Sequence, residues 1–528
     1  MLDSTMLGTG FDSGNMKTQD LPHQQACAEW SNRILILSLL GIAYLTLFPF
    51  RFDFAPTFVF HRYPFLLGTA GKRVHFFDFF LNVLLFVPFG FGLSARARKR
   101  GGGRWTSLLR ALAVGACVSY LVEVLQFYVP ARDSGWGDIF SNTTGSVAGF
   151  VLFELCGGVV LEELSKWEDT FEGWLSPLRT ALMLAAYFAV CFGISARLQS
   201  ETRLSDWEPR CILSVGNDAS GQNAWKGQIF RLQIWNRALP DQAIRRLTGQ
   251  ESVDDTSAGL LGSYDFKGSP PYRDKRNFLP ALDWIPERPE FTNGQAPEWG
   301  ARSWLSTNVP VENLTREIKK TSQFTVRIVC APAAMEDVNG RIFSLSQSAG
   351  NVNFLLRQEG QFLVFRLRNP LSATRSLLAW YVPGAFEPGK VRDIVASYDG
   401  SDAFIYLDGN RVPRPYRLSP GASLVHKFFF IETGALEGYV IVYETLIFLP
   451  AGLLIGVAVW KWPGLKISGR WLLALSWVLP AVLFEFFLAG VSGRRIWVGN
   501  IVLSLVFGLA GILLINSDRL CKDSPRAS

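Results

Sequence analysis

Seven polar side chains set in an otherwise apolar stretch could do chemistry: Asp78, Asn82, Glu123, Gln126, Arg132, Asp138 and Asn142. Asp78 and Asn82 are four apart, as are Asp138 and Asn142, and Glu123 and Gln126 are three apart. Each pair therefore shares one helix face. Three helices would carry these pairs toward one interior. Arg132 is the strong cation of the turn "YVPARDSGWGD", where Asp133 follows it. A guanidinium there pairs bidentately with a carboxylate or holds a phosphate. A charge at the bilayer centre costs roughly 2.5–3.5 kcal/mol on insertion scales, so such residues are seldom idle. Three readings stay open. The cluster is an internal network fixing the turn, a ligand site for a lipid-linked phosphate or envelope glycan, or a catalytic site with a carboxylate as base. No nucleophile accompanies it, so no catalytic residue is assigned. Seven Cys without a CxxC, and only His23, His61, His75 and His426, give no metal site and no cofactor.

The elements that must position these residues follow from hydropathy. Apolar runs dominate residues 33–195 and 438–516, whereas 197–430 reads like a soluble β-rich segment. A spanning helix needs about 20 apolar residues. Candidates are 33–50, 77–95, 108–128, 139–157, 179–195, 438–458, 471–490 and 497–516, about eight in all. The net charge of +7 forms no single patch. It gathers in "RARKRGGGR" (Arg96–Arg104), "KWPGLK" (Lys461–Lys466) and the tail with Arg519, Lys522 and Arg526. That is the positive-inside pattern, which points to the lipid bilayer as partner and to no nucleic acid. It makes residues 1–32 and 517–528 cytoplasmic, the Arg132 turn exterior and 197–430 exterior. The loop with Arg51, Arg62, Lys72 and Arg73 then lies outside, against the same bias. No cleavable signal peptide is expected, so the first span reads as a signal anchor. The Trp-bearing "LEELSKWEDTFEGWLSPLR" reads as an amphipathic segment along the inner interface.

The middle segment alternates apolar and polar residues in "GQIFRLQIWNRAL", "FTVRIVCAP", "GRIFSLSQ", "VNFLLRQEGQFLVFRLRN", "VRDIVASYDGSDAFIYLDGNRV" and "HKFFFIE". Short strands with Gly, Asn, Asp and Pro between them predict an antiparallel sandwich or jelly roll. Cys211 and Cys330 could form one disulfide there if they face each other. Trp225, Trp235 and Tyr398 stack on sugars or, more simply, pack a core. "KKTSQ" at Lys319 reads as a solvated turn, and "NLT" at Asn313 as a glycosylation sequon by pattern only.

Two resemblances follow. "DFFLNVLLFVPFG", with Asp78, Asn82, Pro88 and Gly90, followed by Glu123, Gln126, Arg132, Asp138, Asn142, Gly145 and Gly149, resembles the VanZ-like family. That resemblance implies a bacterial cell-envelope membrane protein and names no reaction. "WKGQIFRLQIWNRALPDQAIRRL" and "VASYDGSDAFIYLDGNRV" are similar to laminin G-like and concanavalin A-like jelly rolls, with the two pieces in reversed order. This similarity implies carbohydrate or protein recognition.

The first pattern returns later in the chain. "NVLLFVPFG" (Asn82–Gly90) reappears as "ETLIFLPAG" (Glu444–Gly452), and "VEVLQFYVPARDSGWGD" (Val122–Asp138) as "FEFFLAGVSGRRIWVGN" (Phe484–Asn500). The offsets agree: 444 − 82 = 362 and 485 − 123 = 362. Glu444, Glu485, Arg494 and Asn500 are thus counterparts of Asn82, Glu123, Arg132 and Asp138, while Leu488 and Ser504 replace Gln126 and Asn142. Two parallel three-helix repeats, 76–150 and 438–512, would be related by an axis along the membrane normal. "GSVAG" (Gly145–Gly149) fits a close helix contact, and Pro88 and Pro450 fit kinks. The expected fold is an α-helical polytopic membrane protein with an inserted all-β jelly roll. Its domains are a five-span part at 33–196, the jelly roll at 197–430 and a three-span repeat at 438–516. The expected function is binding or handling of a lipid-linked saccharide precursor, with the exterior domain recognising a surface polysaccharide or a protein. A membrane-anchored receptor or adhesin and an enzyme acting on a phosphorylated lipid are the alternatives. Oligomeric state is not assigned.

Overall fold

The computed structural model describes residues 20–54, 76–130, 132, 135–248, 258–268, 270–286, 298–299, 303–333, 340–372, 379–413, 415–428, 435–461 and 467–522. His61, Arg62, Lys72, Arg73, His75, Asp133 and Arg526 lie outside these. Among the described residues, eight helices are long and apolar enough to cross a membrane. They are α1 (Asp20–Leu47), α2 (Phe76–Lys99), α3 (Arg104–Phe127), α4 (Trp136–Trp174), α5 (Pro177–Ser200), α9 (Leu436–Lys461), α10 (Ile467–Ser492) and α11 (Val498–Lys522). Their outward faces are greasy, with Trp105, Leu155, Leu178 and Val498 all exposed. Apolar patches of that extent mark a surface meant for lipid. The chain is a multi-pass membrane protein.

Contacts divide the chain into two compact units, one of residues 1–186, 448–477 and 506–528, the other of 187–447 and 478–505. In the first unit α2 packs against α1, α3 and α4, and α3 packs against α4. Glycines permit the close approach. A Cβ on Gly90 of α2 would overlap the Ser146 carbonyl, and one on Gly149 of α4 would overlap the Val87 carbonyl. In the same unit Gly452 abuts the Gly508 carbonyl, and Gly511 abuts Leu449 O at 2.5 Å from where its Cβ would stand, the latter being equivalent to Gly149 on Val87. The spacing is again 452 − 90 = 362 and 511 − 149 = 362. Helix α2 closes with Arg96, Arg98 and Lys99 in its last turn, where cations complement the helix dipole.

Helix α4 differs from expectation. The segment expected along the interface continues the same helix, which runs unbroken for 39 residues. At 1.5 Å per residue it is about 58 Å long, well beyond a hydrocarbon core of about 30 Å. No proline interrupts it before Pro177, and Lys166 pairs with Glu162 and Glu163, both at 2.9 Å, on the exposed face. Arg33 of α1 pairs with Glu168 on this extension.

The second unit holds two antiparallel sheets forming a sandwich. The strands of the seven-stranded sheet are β1 (Ile212–Val215), β4 (Asp283–Pro286), β6 (Ser303–Ser306), β8 (Arg341–Ser346), β9 (Val352–Glu359), β10 (Phe362–Leu367) and β11 (Ala379–Val382). They lie in the order β11-β10-β9-β8-β1-β6-β4. The eight-stranded sheet contains β2 (Gly227–Trp235), β3 (Leu260–Asp265), β5 (Glu298–Trp299), β7 (Phe324–Pro332), β12 (Arg392–Tyr398), β13 (Asp402–Leu407), β14 (Asn410–Arg411) and β15 (Tyr416–Arg417). Its main path is β14-β13-β12-β7-β2-β3. Phe324, Phe343, Phe354, Phe365 and Tyr398 meet between the sheets, with Phe324 and Phe354 centroids 4.9 Å apart.

Readings left open for this unit are resolved, and the turn at Lys319 and the strand at His426 are corrected. Trp225, Trp235 and Tyr398 are fully buried, so they pack the core and offer no sugar platform. Cys211 and Cys330 are both free thiols. "KKTSQ" and Asn313 belong to or adjoin a helix, α7 (Glu312–Thr321), which ends at Ser322 in the left-handed conformation. His426 to Phe428, read as strand, close helix α8 (Pro420–Phe428). Its start signal was present. Ser419 Oγ accepts the Ala422 N–H at 3.2 Å, and Pro420 occupies the first helical position.

The turn between α10 and α11, residues 493–497, is docked onto the sandwich. Gln323 Nε2 donates to Gly493 O at 2.8 Å, and Arg495 Nη1 to Oδ1 of Asp241, which opens helix α6 (Asp241–Leu247), at 2.8 Å. The Trp497 indole N–H donates to Asp402 Oδ2 at 2.6 Å, and Arg417 lies over the Trp497 ring at 3.7 Å. Asp399 accepts the Arg495 N–H at 3.3 Å. Burial, and secondarily the neighbouring Asp402 charge, push the Asp399 carboxyl up to about 7, although backbone N–H donors oppose this.

Two outcomes are expected. Gly149→Leu lowers the thermal stability of the detergent-purified protein by roughly 1–3 kcal/mol through overpacking. Gly158→Leu, with nothing within 4 Å of its Cβ position, leaves it unchanged. For pH, the folded Asp399 carboxyl binds its proton more tightly than the unfolded one, whose pKa is about 3.9. Its contribution is present at low pH and is lost as pH rises through about 7. The unfolding temperature followed by Trp fluorescence therefore falls between about pH 5 and pH 8, and Asp399→Asn flattens that slope.

Candidate functional site

The turn between α3 and α4 shows why its residues are polar. A helix start leaves N–H groups without partners, and a helix end leaves carbonyls, a heavy cost where water is scarce. Glu123, buried on α3, accepts the N–H of Gly135, the residue just before α4, at 2.8 Å. A carboxylate at a helix start also meets the positive end of the dipole. The opposite problem arises where α1 stops ahead of Pro49. Arg132 Nε donates to Phe48 O at 2.8 Å, and its Nη2 to Leu45 O at 2.9 Å. Gln126 Nε2 donates to Thr46 O at 2.9 Å. Arg132 and Gln126 thus satisfy three carbonyls at the end of α1.

Between α2 and α4, Asn82 Nδ2 donates to Asp138 Oδ1 at 2.7 Å. Asn142 Nδ2 donates to Ser119 Oγ at 3.0 Å, while the buried Asn142 Oδ1 has no hydrogen-bond partner. Asp78 stands exposed in the first turn of α2, one turn ahead of Asn82. Asn82, Asp138 and Asn142 are therefore brought onto one polar seam. Gln126 and Arg132 are drawn instead to α1, and Asp78 sits at the rim. The residues missed by sequence reasoning are Ser119, Gly135 and the α1 carbonyls. A backbone acceptor has no residue type to betray it. Only Pro49, which forbids α1 to continue, marks the place.

The later cluster is arranged differently around one shared bond. Glu485 Oε1 accepts the N–H of Trp497, just before α11, at 2.7 Å. This matches Glu123 with Gly135 at the same spacing, 497 − 135 = 362. Here the arginine turns to the acid. Arg494 holds Glu485 bidentately at 2.5 and 2.8 Å, and Asn500 Nδ2 adds a third donor at 3.0 Å. Glu485 is 1% and Arg494 8% exposed, so the pair is sealed. Glu444 accepts from Ser504 Oγ at 2.8 Å.

A small enclosed space adjoins this cluster, lined by Glu444, Arg494 and Asn500 from the helical segments and by Asp402, Arg417 and Ser419 from the sandwich. The described residues hold no group of three or more His, Cys, Asp or Glu arranged for a metal ion.

Comparison with known proteins bears on the first cluster. No solved structure gives a significant match to the chain. Over 125 residues the chain is 26% identical to Protein VanZ of Enterococcus faecium, an alignment covering 24% of this chain and 74% of that protein. The VanZ/LLP1 family model matches residues 34–157, the stretch that contains Asp78, Asn82, Glu123, Gln126, Arg132, Asp138 and Asn142. Those residues therefore lie in the stretch that the VanZ/LLP1 family model matches, within a longer multi-pass membrane protein.

Proposed function

We propose that the first helical cluster binds the anionic head of a lipid-linked envelope precursor, and that the second is its structural counterpart, committed to holding the sandwich. In this reading residues 76–150 and 438–512 are parallel repeats, supported by contacts that recur 362 residues apart. The sandwich is a laminin G-like or concanavalin A-like jelly roll lying outside the cytoplasm, a placement supported by the odd number of candidate spans before it.

The observation that carries the proposal is what covers the second cluster. The sandwich presents two carboxylates there, Asp402 to the Trp497 indole and Asp399 to the Arg495 N–H. An anion thus already occupies the mouth beside Arg494. Arg132, half-buried, stands at the matching place in the first repeat, on the segment leading into α4, which carries Asp138 and the unpartnered Asn142 carbonyl oxygen. A phosphate with hydroxyl-bearing neighbours suits that mixture, since Arg takes the phosphate and the acceptors take hydroxyl donors.

A second reading is favoured by a specific observation. Two of the Arg132 nitrogens are spent on α1 carbonyls. If that is its whole purpose, the helices are an anchor and the sandwich alone is a receptor.

Native mass spectrometry of the detergent-purified protein separates the two. A phosphorylated lipid is expected to co-purify with wild type and to be lost from Glu123→Ala and Arg132→Ala while both stay folded. Glu485→Gln should keep the lipid but lower the unfolding temperature, because breaking a buried pair costs about 3–5 kcal/mol. Lipid retained by the Arg132 variant, or absent from wild type, would leave the receptor reading standing.

A further inference from the structure

Three arginines stand on adjacent strands of the seven-stranded sheet in a pattern that folding alone does not favour. Arg341 of β8 is directly opposite Arg357 of β9. Arg357 is opposite Val364 of β10, and Arg366 is two residues along the same face. Like charges directly opposite in a sheet destabilise it. The side chains point away from the aromatic core, since Phe354, Leu356 and Phe365 alternate with them along β9 and β10.

Their charge is incompletely balanced. Arg341 pairs with Asp218, and Arg357 with Glu359. Asp218 is also committed to its own loop, accepting from the Ser220 N–H at 2.9 Å and from Asn223 Nδ2 at 2.8 Å. Among the described residues no ion pair includes Arg366. The Nε atoms of Arg357 and Arg366 are buried and without hydrogen-bond partners. Burial, and then the neighbouring Arg357, lower the Arg366 guanidinium from its ordinary value, while Glu359 and a hydrogen bond with the Tyr381 side chain oppose this. Two buried donors and one excess positive charge therefore belong to this one face. Beside it, Tyr381 of β11 pairs with Val364 and so shares the face. Tyr381 is 45% exposed and makes an edge contact with Phe362 at 6.4 Å.

We infer that Arg341, Arg357 and Arg366 form an oxyanion site on this face, taking the phosphate or carboxylate of an anionic saccharide whose ring lies on Tyr381. The guanidinium forks supply the charge-assisted bonds, and the aromatic face supplies a surface for the sugar. This rests on the reading of the sandwich as a recognition domain and names the chemical class that it takes.

The test is titration of the full chain in detergent with four probes: a phosphorylated oligosaccharide, a uronic-acid oligosaccharide, the neutral oligosaccharide of equal length, and inorganic phosphate. At least one acidic probe should bind at low salt and weaken at high salt. Which one binds separates phosphate from carboxylate. Arg357→Gln and Arg366→Gln should each weaken it about tenfold or more. Tyr381→Ala should weaken the saccharide about threefold while leaving inorganic phosphate unchanged. Arg366→Gln should also raise the unfolding temperature of the unliganded protein, which loss of a purely structural arginine would not do. Equal affinity for neutral and acidic probes, or full affinity in the Gln variants, overturns the arginine site while recognition by the sandwich survives. No binding of any saccharide by wild type overturns both.

Discussion

The bond on which both helical clusters depend runs from a buried glutamate to the backbone N–H that opens the next helix. Glu123 serves Gly135, and Glu485 serves Trp497. A tight turn between two apolar helices exposes N–H groups that neither lipid nor a nearby carbonyl can satisfy, and a carboxylate answers both the hydrogen bond and the dipole. An arginine follows nine residues after each acid, Arg132 after Glu123 and Arg494 after Glu485.

The two turns part company over what stands beside them. In the first, α1 ends there, and its free carbonyls draw off Arg132 and Gln126. In the second, the chain 362 residues after α1 builds strands of the sandwich, not a helix. Arg494 therefore has no such carbonyls and closes on Glu485. The place is covered by Asp399, Asp402 and Arg417 of the sandwich. Loss of one amide follows from the same cause. Leu488 replaces Gln126 because there is no α1 end for an amide to cap. The later turn is thus tied into a dock with the sandwich.

Helices and strands were legible because their periods are strong. The spacing of Asn82, Asp138 and Asn142 announced a shared polar seam, and the 362-residue offset was readable as text. Partners made by the backbone were not. Arg132 looked like a carboxylate partner because the acid beside it was visible and the α1 carbonyls were not. His426 to Phe428 were misread as a strand because the apolar run in "HKFFFIE" outweighed the Ser419–Pro420 start signal. The C-terminal half of α4 was misread because its charges suggested an interface, although nothing there breaks a helix. The docking of Trp497 had no local signature at all, since Asp402 lies 95 residues away.

The central claim is that the two turns, alike in their glutamate bond, differ in having an external or an internal anion. A cryo-electron-microscopy map of the full chain in nanodiscs of native envelope lipid tests it most directly. The account predicts headgroup density within hydrogen-bond reach of Arg132, and Asp402 in its place against Trp497 with no lipid between. Arg132 held on the Phe48 and Leu45 carbonyls with no headgroup density near it would contradict the account.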